Sequence, residues 1–233
     1  MRILTLLAWD AFSREPVSVN INDYPWSAVG KLYNRVGGAC TAALVSHTEL
    51  ITAAHCLYNH HSGEIVRPTS LHFLLRYNQG EYSRDLHISK FVTGANRTSD
   101  AEMSDWAVLT LDYPTPESVK PLSLSGDPLI VGSAIMVGGF SQLRPFVLTA
   151  DSDCSIRTTL PSGLLVHDCA VMNGDSGAPL IRVSGDRIEV LGIHVGSEVI
   201  GGTAMPIAVP VSSFIGSKCV RQADARRESM SVL

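Results

Sequence analysis

Apolar and β-branched residues recur along the chain in short runs, and the breaks between runs are rich in Gly, Pro, Asn, Asp and Ser. Examples of such runs are Trp26 to Tyr33, Cys40 to Val45, Ser70 to Tyr77, Trp106 to Leu111 and Ala134 to Phe140. Leu164 to His167, Ala178 to Val183, Ile188 to Val195 and Thr203 to Val209 follow. Segments this short, bounded by turn formers such as Ser184-Gly185-Asp186, predict β-strands rather than helices. Helical character is confined to the end of the chain. Val211 to Val220 predicts one short helix with Ser212 or Ser213 as its N-cap. Beyond it, Arg221, Arg226 and Arg227 among polar neighbours predict a solvated, mobile tail over 221–233.

No repeat of fixed period is present, which excludes solenoids and propellers. The stretch Tyr113-Pro114-Thr115-Pro116-Glu117 to Lys120-Pro121 is the linker candidate, because prolines interrupt strand pairing and stiffen an extended connection. It divides the chain into halves of similar size, each with about six strand candidates. The predicted fold class is therefore all-β: two six-stranded antiparallel β-barrels side by side, the first over about 24–112 and the second over about 122–210.

Composition narrows the picture. With 45% hydrophobic and 17% charged residues among 233, a large core is available and global disorder is excluded. A net charge of −4 is too mild to point to nucleic acid. No apolar run approaches the roughly 20 residues of a membrane span, so a soluble monomer without nucleic-acid or membrane partners is expected. Cysteines stand at 40, 56, 154, 169 and 219 with no C-x-x-C pair, which fits an oxidising compartment better than a redox or zinc site. The start, Met1-Arg2-Ile3-Leu4-Thr5-Leu6-Leu7-Ala8-Trp9, is a weak secretory signal. Residues 1–13 read as a signal or propeptide remnant, or simply as fraying terminal residues.

Three blocks carry candidate chemistry. In Asn173-Gly174-Asp175-Ser176-Gly177-Ala178-Pro179, glycines flank a serine and let the backbone present the N–H groups of Gly174 and Ser176 to one point. A serine hydroxyl is a weak nucleophile and needs a base. Taken alone the block also reads as a hairpin turn. In Ile51-Thr52-Ala53-Ala54-His55-Cys56, an apolar segment runs into a small-residue turn that carries an imidazole, a group titrating near neutrality. In Ser104-Asp105-Trp106-Ala107-Val108-Leu109, a carboxylate opens an apolar strand, where it can accept the second N–H of a histidine. An isolated histidine is more often a structural residue, and an isolated aspartate is usually a turn cap. Asp100 is a rival without such a strand directly after it. His60 and His61 are adjacent and do not share a face, so they read as loop residues rather than metal ligands.

Together the Thr-Ala-Ala-His-Cys, Asp-x-Ala-x-Leu and Gly-Asp-Ser-Gly-x-Pro blocks resemble the chymotrypsin-type (trypsin-like) serine protease family, in that family's order His, Asp, Ser. The resemblance runs from about Arg14 to Phe214. It is similar to the bacterial glutamyl-endopeptidase-like branch in Arg14-Glu15-Pro16-Val17, in Tyr24-Pro25-Trp26-Ser27-Ala28-Val29-Gly30 and in Gly192-Ile193-His194-Val195-Gly196.

The resemblance implies a serine endopeptidase with His55, Asp105 and Ser176 as triad and the Gly174 and Ser176 N–H groups as oxyanion hole. It implies protein or peptide substrates, no metal or organic cofactor, and secretion or a periplasmic location. It further implies a Cys40–Cys56 disulfide bracing the histidine loop and a Cys154–Cys169 disulfide in the second barrel, with Cys219 left over. A non-catalytic binding module that kept the fold, and an esterase with the same triad, are the alternatives.

Two departures stand out. No Ile-Val-Gly-Gly type start is present, yet Asp175 is retained, which leaves its partner open: a processed N-terminus, Arg14 or Arg144, or backbone N–H groups alone. In the primary pocket the resemblance puts Ala170 at the floor, where trypsin-like members carry an aspartate, so cleavage after Lys or Arg is disfavoured. His194 matches a histidine that binds acidic side chains, with Ser197 and Thr203 as hydroxyl donors. Val171, however, replaces a threonine of the close relatives. An acidic or a small apolar preference follows, depending on whether His194 reaches the pocket.

Overall fold

The structure, a computed structural model, describes residues 14–36, 38–94 and 102–216. The N-terminal segment 1–13, the Asn96-Arg97-Thr98 glycosylation sequon, Cys219 and the tail lie outside the described residues. Among the described residues there are fourteen strands: β1 (Val17–Ser18), β2 (Val29–Asn34), β3 (Gly38–Ser46), β4 (Glu49–Thr52), β5 (Leu71–Leu75), β6 (Arg84–Thr93) and β7 (Ala107–Leu111), then β8 (Ser123–Leu124), β9 (Ala134–Gly139), β10 (Thr149–Thr159), β11 (Leu165–His167), β12 (Pro179–Ser184), β13 (Arg187–Ile200) and β14 (Thr203–Pro210).

The first six-stranded barrel closes in the order β2-β3-β4-β7-β6-β5. The second closes as β9-β10-β11-β14-β13-β12, with β1 added antiparallel to β10 and β8 parallel to β13. Alternation drives closure. In β5, Leu71, Phe73 and Leu75 are buried while His72 and Leu74 between them are less so. Leu32, Leu44, Leu50, Ile51, Ile88 and Leu109 fill the same interior. Ile135, Val137, Ile156, Leu165, Leu180 and Leu191 fill the second barrel around Cys154 and Cys169. Each fully buried side chain of this size contributes about 1.5 to 3 kcal/mol.

Both expected disulfides are present, Cys40–Cys56 and Cys154–Cys169, closing loops of 16 and 15 residues. Each contributes about 2 to 4 kcal/mol by restricting the unfolded chain. Between β7 and β8 the proline-rich segment forms no strand. It is strapped to barrel one by Thr115 N–H to His47 O (2.7 Å) and Leu122 N–H to Leu44 O (2.8 Å).

Two local expectations need correction. Trp26 to Ala28 form a 3-10 turn ahead of β2, held by Ser27 N–H to Asp23 O and Ala28 N–H to Pro25 O. Of the helix expected over 211–220, residues 211–216 hold only the 3-10 turn Val211–Ser213, and 217–220 lie outside the described residues. Its N-cap is Pro210 rather than Ser212 or Ser213. β14 runs fully extended to Pro210, and burial of Phe214 pulls the turn onto the core before a helix is established.

Candidate active site

Strand register brings the histidine and aspartate together. β4 and β7 pair antiparallel with Thr52 opposite Ala107, so the end of β4 meets the start of β7. His55 lies just past the first and Asp105 just before the second. Fully buried Ala53 and Ala54 let the chain turn sharply into the 3-10 turn Ala54–Leu57. Asn34 Nδ2 holds that turn by donating to Cys56 O (3.1 Å) and Tyr58 O (3.2 Å). The Cys40–Cys56 disulfide ties the same turn to β3.

Both carboxylate oxygens of Asp105 are used on one residue. Oδ1 accepts the His55 backbone N–H at 2.8 Å, and Oδ2 pairs with the His55 ring at Nδ1 at 2.7 Å. An ionised carboxylate only accepts, so Nδ1 carries the proton and Nε2 of the neutral ring is left as a lone pair.

Ser176 sits in a loop clamped by both barrels. Its carbonyl accepts Thr41 N–H of β3 (2.9 Å), and the next residue, Gly177, donates its N–H to His194 O of β13 (2.7 Å). Cys56 Sγ lies 3.9 Å from the Ser176 carbonyl, which places the serine beside the histidine turn. No hydrogen bond joins the Ser176 hydroxyl to His55 among the described residues; contacts of this kind commonly tighten only when substrate binds.

The flanking glycines are required by space as well as by conformation. Gly177 has φ +83°, and a Cβ there would fall 2.2 Å from both Thr41 O and Thr52 Oγ1. Gly174 has φ +98°, and a Cβ would fall 2.4 Å from Phe140 O. Asn173 O accepts Gln142 N–H at 2.5 Å. In a trans peptide the next N–H points the opposite way, so Gly174 N–H is turned away from the 141–144 segment. Neither it nor Ser176 N–H donates to a group among the described residues.

Asp175 is 4% exposed. Its Oδ2 accepts Met172 N–H (2.8 Å) and its Oδ1 has no hydrogen-bond partner among the described residues. Neither arginine named above pairs with it. Arg14 instead donates to Asp153 O and Asp168 O and forms ion pairs with Asp151 (3.6 Å) and Asp168 (3.8 Å). Burial therefore dominates: it raises the Asp175 pKa to about 7, against the opposing pull of the Met172 bond.

An unfolded aspartate titrates near 3.9, so the folded chain holds this proton more tightly. The contribution is complete below about pH 4 and is lost as pH rises through about 7, in total roughly 4 kcal/mol. Asp175→Asn removes the titration. Its stability relative to the parent is expected to rise by about 3 kcal/mol between pH 5 and pH 8, read from denaturant midpoints. Parallel pH curves for the two proteins would contradict it.

The residues singled out for the primary pocket separate into two groups. Ala170, Val171 and Ser197 line a cavity of about 520 Å³, together with Leu143, Met172 and Met205. Arg14, Glu15, Asp168 and Arg144 also line it. His194 and Thr203 are not part of this lining. His194 is 4% exposed, with Nδ1 facing Nε2 of the fully buried His167 at 3.3 Å. Burial lowers the His194 pKa to about 4, with the nearby His55 acting in the same direction. Burial, with His194 acting in the same direction, also holds the His167 pKa well below its ordinary value. At neutral pH both rings are uncharged. The sequence carries no separate signal for His167, Gln142, Arg14 or Asp168 in these positions, since each acts through partners distant in the chain.

With the geometry established, three comparisons bear on it. The Trypsin family model matches residues 16–216. "Snake venom serine protease HS114" of Bothrops jararaca is 26% identical over 185 residues, spanning 70% of this chain and 69% of its own length. "Thrombin-like enzyme acutin" of Deinagkistrodon acutus is 26% identical over 171 residues, spanning 64% and 71%. Among solved structures, a Glu endopeptidase in complex with MPD superposes with a TM-score of 0.72 at 16% identity, covering 93% of this chain and 98% of that one. That last likeness speaks for the fold alone. A family match over nearly the whole length, on two closed barrels of the kind that family folds into, leads to one conclusion: the chain belongs to the trypsin family and is a serine-type endopeptidase that acts on proteins.

Proposed function

We propose that the endopeptidase works through an acyl-enzyme carried by Ser176, His55 and Asp105. Ser176 Oγ attacks the scissile carbonyl while its proton passes to His55 Nε2, and that proton then leaves with the amine. A water, deprotonated by the same nitrogen, hydrolyses the ester and returns Oγ to its protonated form. Gly174 and Ser176 N–H groups receive the oxyanion. The observation that carries this reading is the doubly bonded His55–Asp105 pair, which fixes the one tautomer able to act as base. The intact set of groups argues against a binding module, and the two disulfides together with the venom relatives support secretion into an oxidising setting.

The same proposal gives the primary pocket a taste for small or apolar side chains. His194, the residue that favoured an acidic preference, is neutral, buried and committed to His167 and to the Ile207 backbone. The Asp168 carboxylate in the cavity is already matched by Arg14 and Arg157, and the other carboxylate of the lining, Glu15, is exposed and offers a substrate lysine or arginine only a solvent-screened partner. A peptide-library digest is expected to show cleavage after small and apolar residues. Dominant cleavage after Glu that disappears in His194→Ala would overturn this preference, as would dominant cleavage after Lys or Arg. Ester substrates run alongside separate a peptidase from an esterase, which would leave peptides intact.

A further inference from the structure

Away from the cleft, the outer wall of barrel one carries a second cluster of functional side chains. β5 turns Leu71, Phe73 and Leu75 inward, so His72 faces out. Across the ladder His72 stands directly opposite His87 of β6. Asp85 lies two residues before His87 and therefore shares its face. The three side chains converge. His72 Nδ1 is 2.9 Å and 3.0 Å from the two Asp85 oxygens, and His87 Nε2 is 4.0 Å from Asp85 Oδ2. One ligand atom from each residue can be chosen so that all lie within 4.8 Å of one another. His72 Nε2 is buried with no hydrogen-bond partner among the described residues, so Nδ1 is the nitrogen this ring offers to the outer face.

We propose that His72, Asp85 and His87 form a site for a divalent transition-metal ion of the Zn²⁺ class. Zn²⁺ binds imidazole nitrogen and carboxylate oxygen at about 2.0 to 2.2 Å, which sets neighbouring tetrahedral ligands about 3.3 Å apart. The present separations bracket that value, and the exposed His87 ring is free to close the remainder by rotation. Two imidazoles with one carboxylate are the donors of a borderline ion. Ca²⁺ and Mg²⁺ prefer shells built from oxygen alone. With three protein ligands, the fourth position is left to water or another small donor. The pair of strands that supplies the ligands is fixed by the closed barrel, so the site is preorganised. A bound ion would clamp β5 to β6. Nothing in this depends on the protease chemistry, and no step of that chemistry runs through the ion.

The test is a titration of the full chain with Zn²⁺ alone, by calorimetry and by thermal melting. Saturable binding is expected. At a hundredfold excess over its Kd the melting temperature should rise by about 5 to 10 °C, with no such rise for Ca²⁺. His87→Ala, at a side chain 53% exposed and therefore mild for folding, and Asp85→Asn should each weaken binding at least about tenfold. His55→Ala should leave it in place. Absence of saturable binding, an equal response to Ca²⁺, an unchanged affinity in His87→Ala, or a loss confined to His55→Ala would each overturn the site.

Discussion

Ser176→Ala is expected to end stoichiometric labelling by a fluorophosphonate and to lower kcat by about 10⁶-fold, while the melting temperature stays where it was. The reason for separating the two effects lies in what Ser176 touches. Its structural contacts are made by the backbone: the carbonyl accepts Thr41 N–H, and the neighbouring Gly177 and Ala178 N–H groups bond to His194 O and Asp175 O. All of these survive in alanine. Only the hydroxyl is lost, and with it the atom that forms the acyl bond. Hydrolysis about 10³-fold above the uncatalysed rate should persist, because the Gly174 and Ser176 N–H groups remain in place. Turnover close to that of the parent would show that another nucleophile is at work. A folded protein with parent-like labelling would show the same.

The barrels were readable because their inward positions alternate in short runs with turn formers between them, as in Leu71-His72-Phe73-Leu74-Leu75. Two long strands were not. β6 presents Arg84, Asp85, His87 and Lys90 in ten residues, and an irregularity between Ile88 and Lys90 shifts its alternation midway. β10 contains Asp151 and Asp153, residues that ordinarily mark a turn. Asp151 is tolerated in a buried strand position because Ala170 N–H, Asp153 N–H and the Arg14 guanidinium surround its carboxylate. Two of those three partners lie far away in the chain, and a local reading has no access to them. His72 and Asp85 are hidden for the same reason, since only the register of β5 against β6 joins them.

The catalytic candidates were legible at a different level. Each sits in a continuous block whose chemistry can be read alone, and each block also had an ordinary structural reading. The proposed function takes the chemical reading of each, on the strength of how the fold arranges the blocks. His55 and Asp105, fifty residues apart, meet because Thr52 pairs with Ala107. The Ser176 loop is gripped by Thr41 on one barrel and by the segment at His194 on the other, which sets its carbonyl beside Cys56 of the histidine turn. The pocket was less legible because the fate of His194 depends on His167. A histidine at the end of an apolar strand announces neither its burial nor its partner.

Asp105→Asn is expected to lower kcat by about 10⁴-fold with KM little changed, in a protein that remains folded. The carboxylate accepts two hydrogen bonds from His55, one from the backbone and one from the ring. An asparagine carbonyl replaces the first without strain, so the turn Ala54–Leu57 keeps its place. The amide that then faces the ring is a donor. Nδ1 must accept from it, and the imidazole proton moves to Nε2, the nitrogen that has to take the proton of Ser176. The base is lost by tautomer while every heavy atom stays near its position. In the proposed reading substrate binding draws on the cavity around Ala170 and Val171, so KM is expected to stay where it was. Steady-state kinetics on one peptide substrate checks the split between kcat and KM, and a thermal melt checks the fold. A variant that keeps kcat within tenfold of the parent would mean that Asp105 does not set the tautomer. A rise in KM with kcat unchanged would assign it to substrate binding instead.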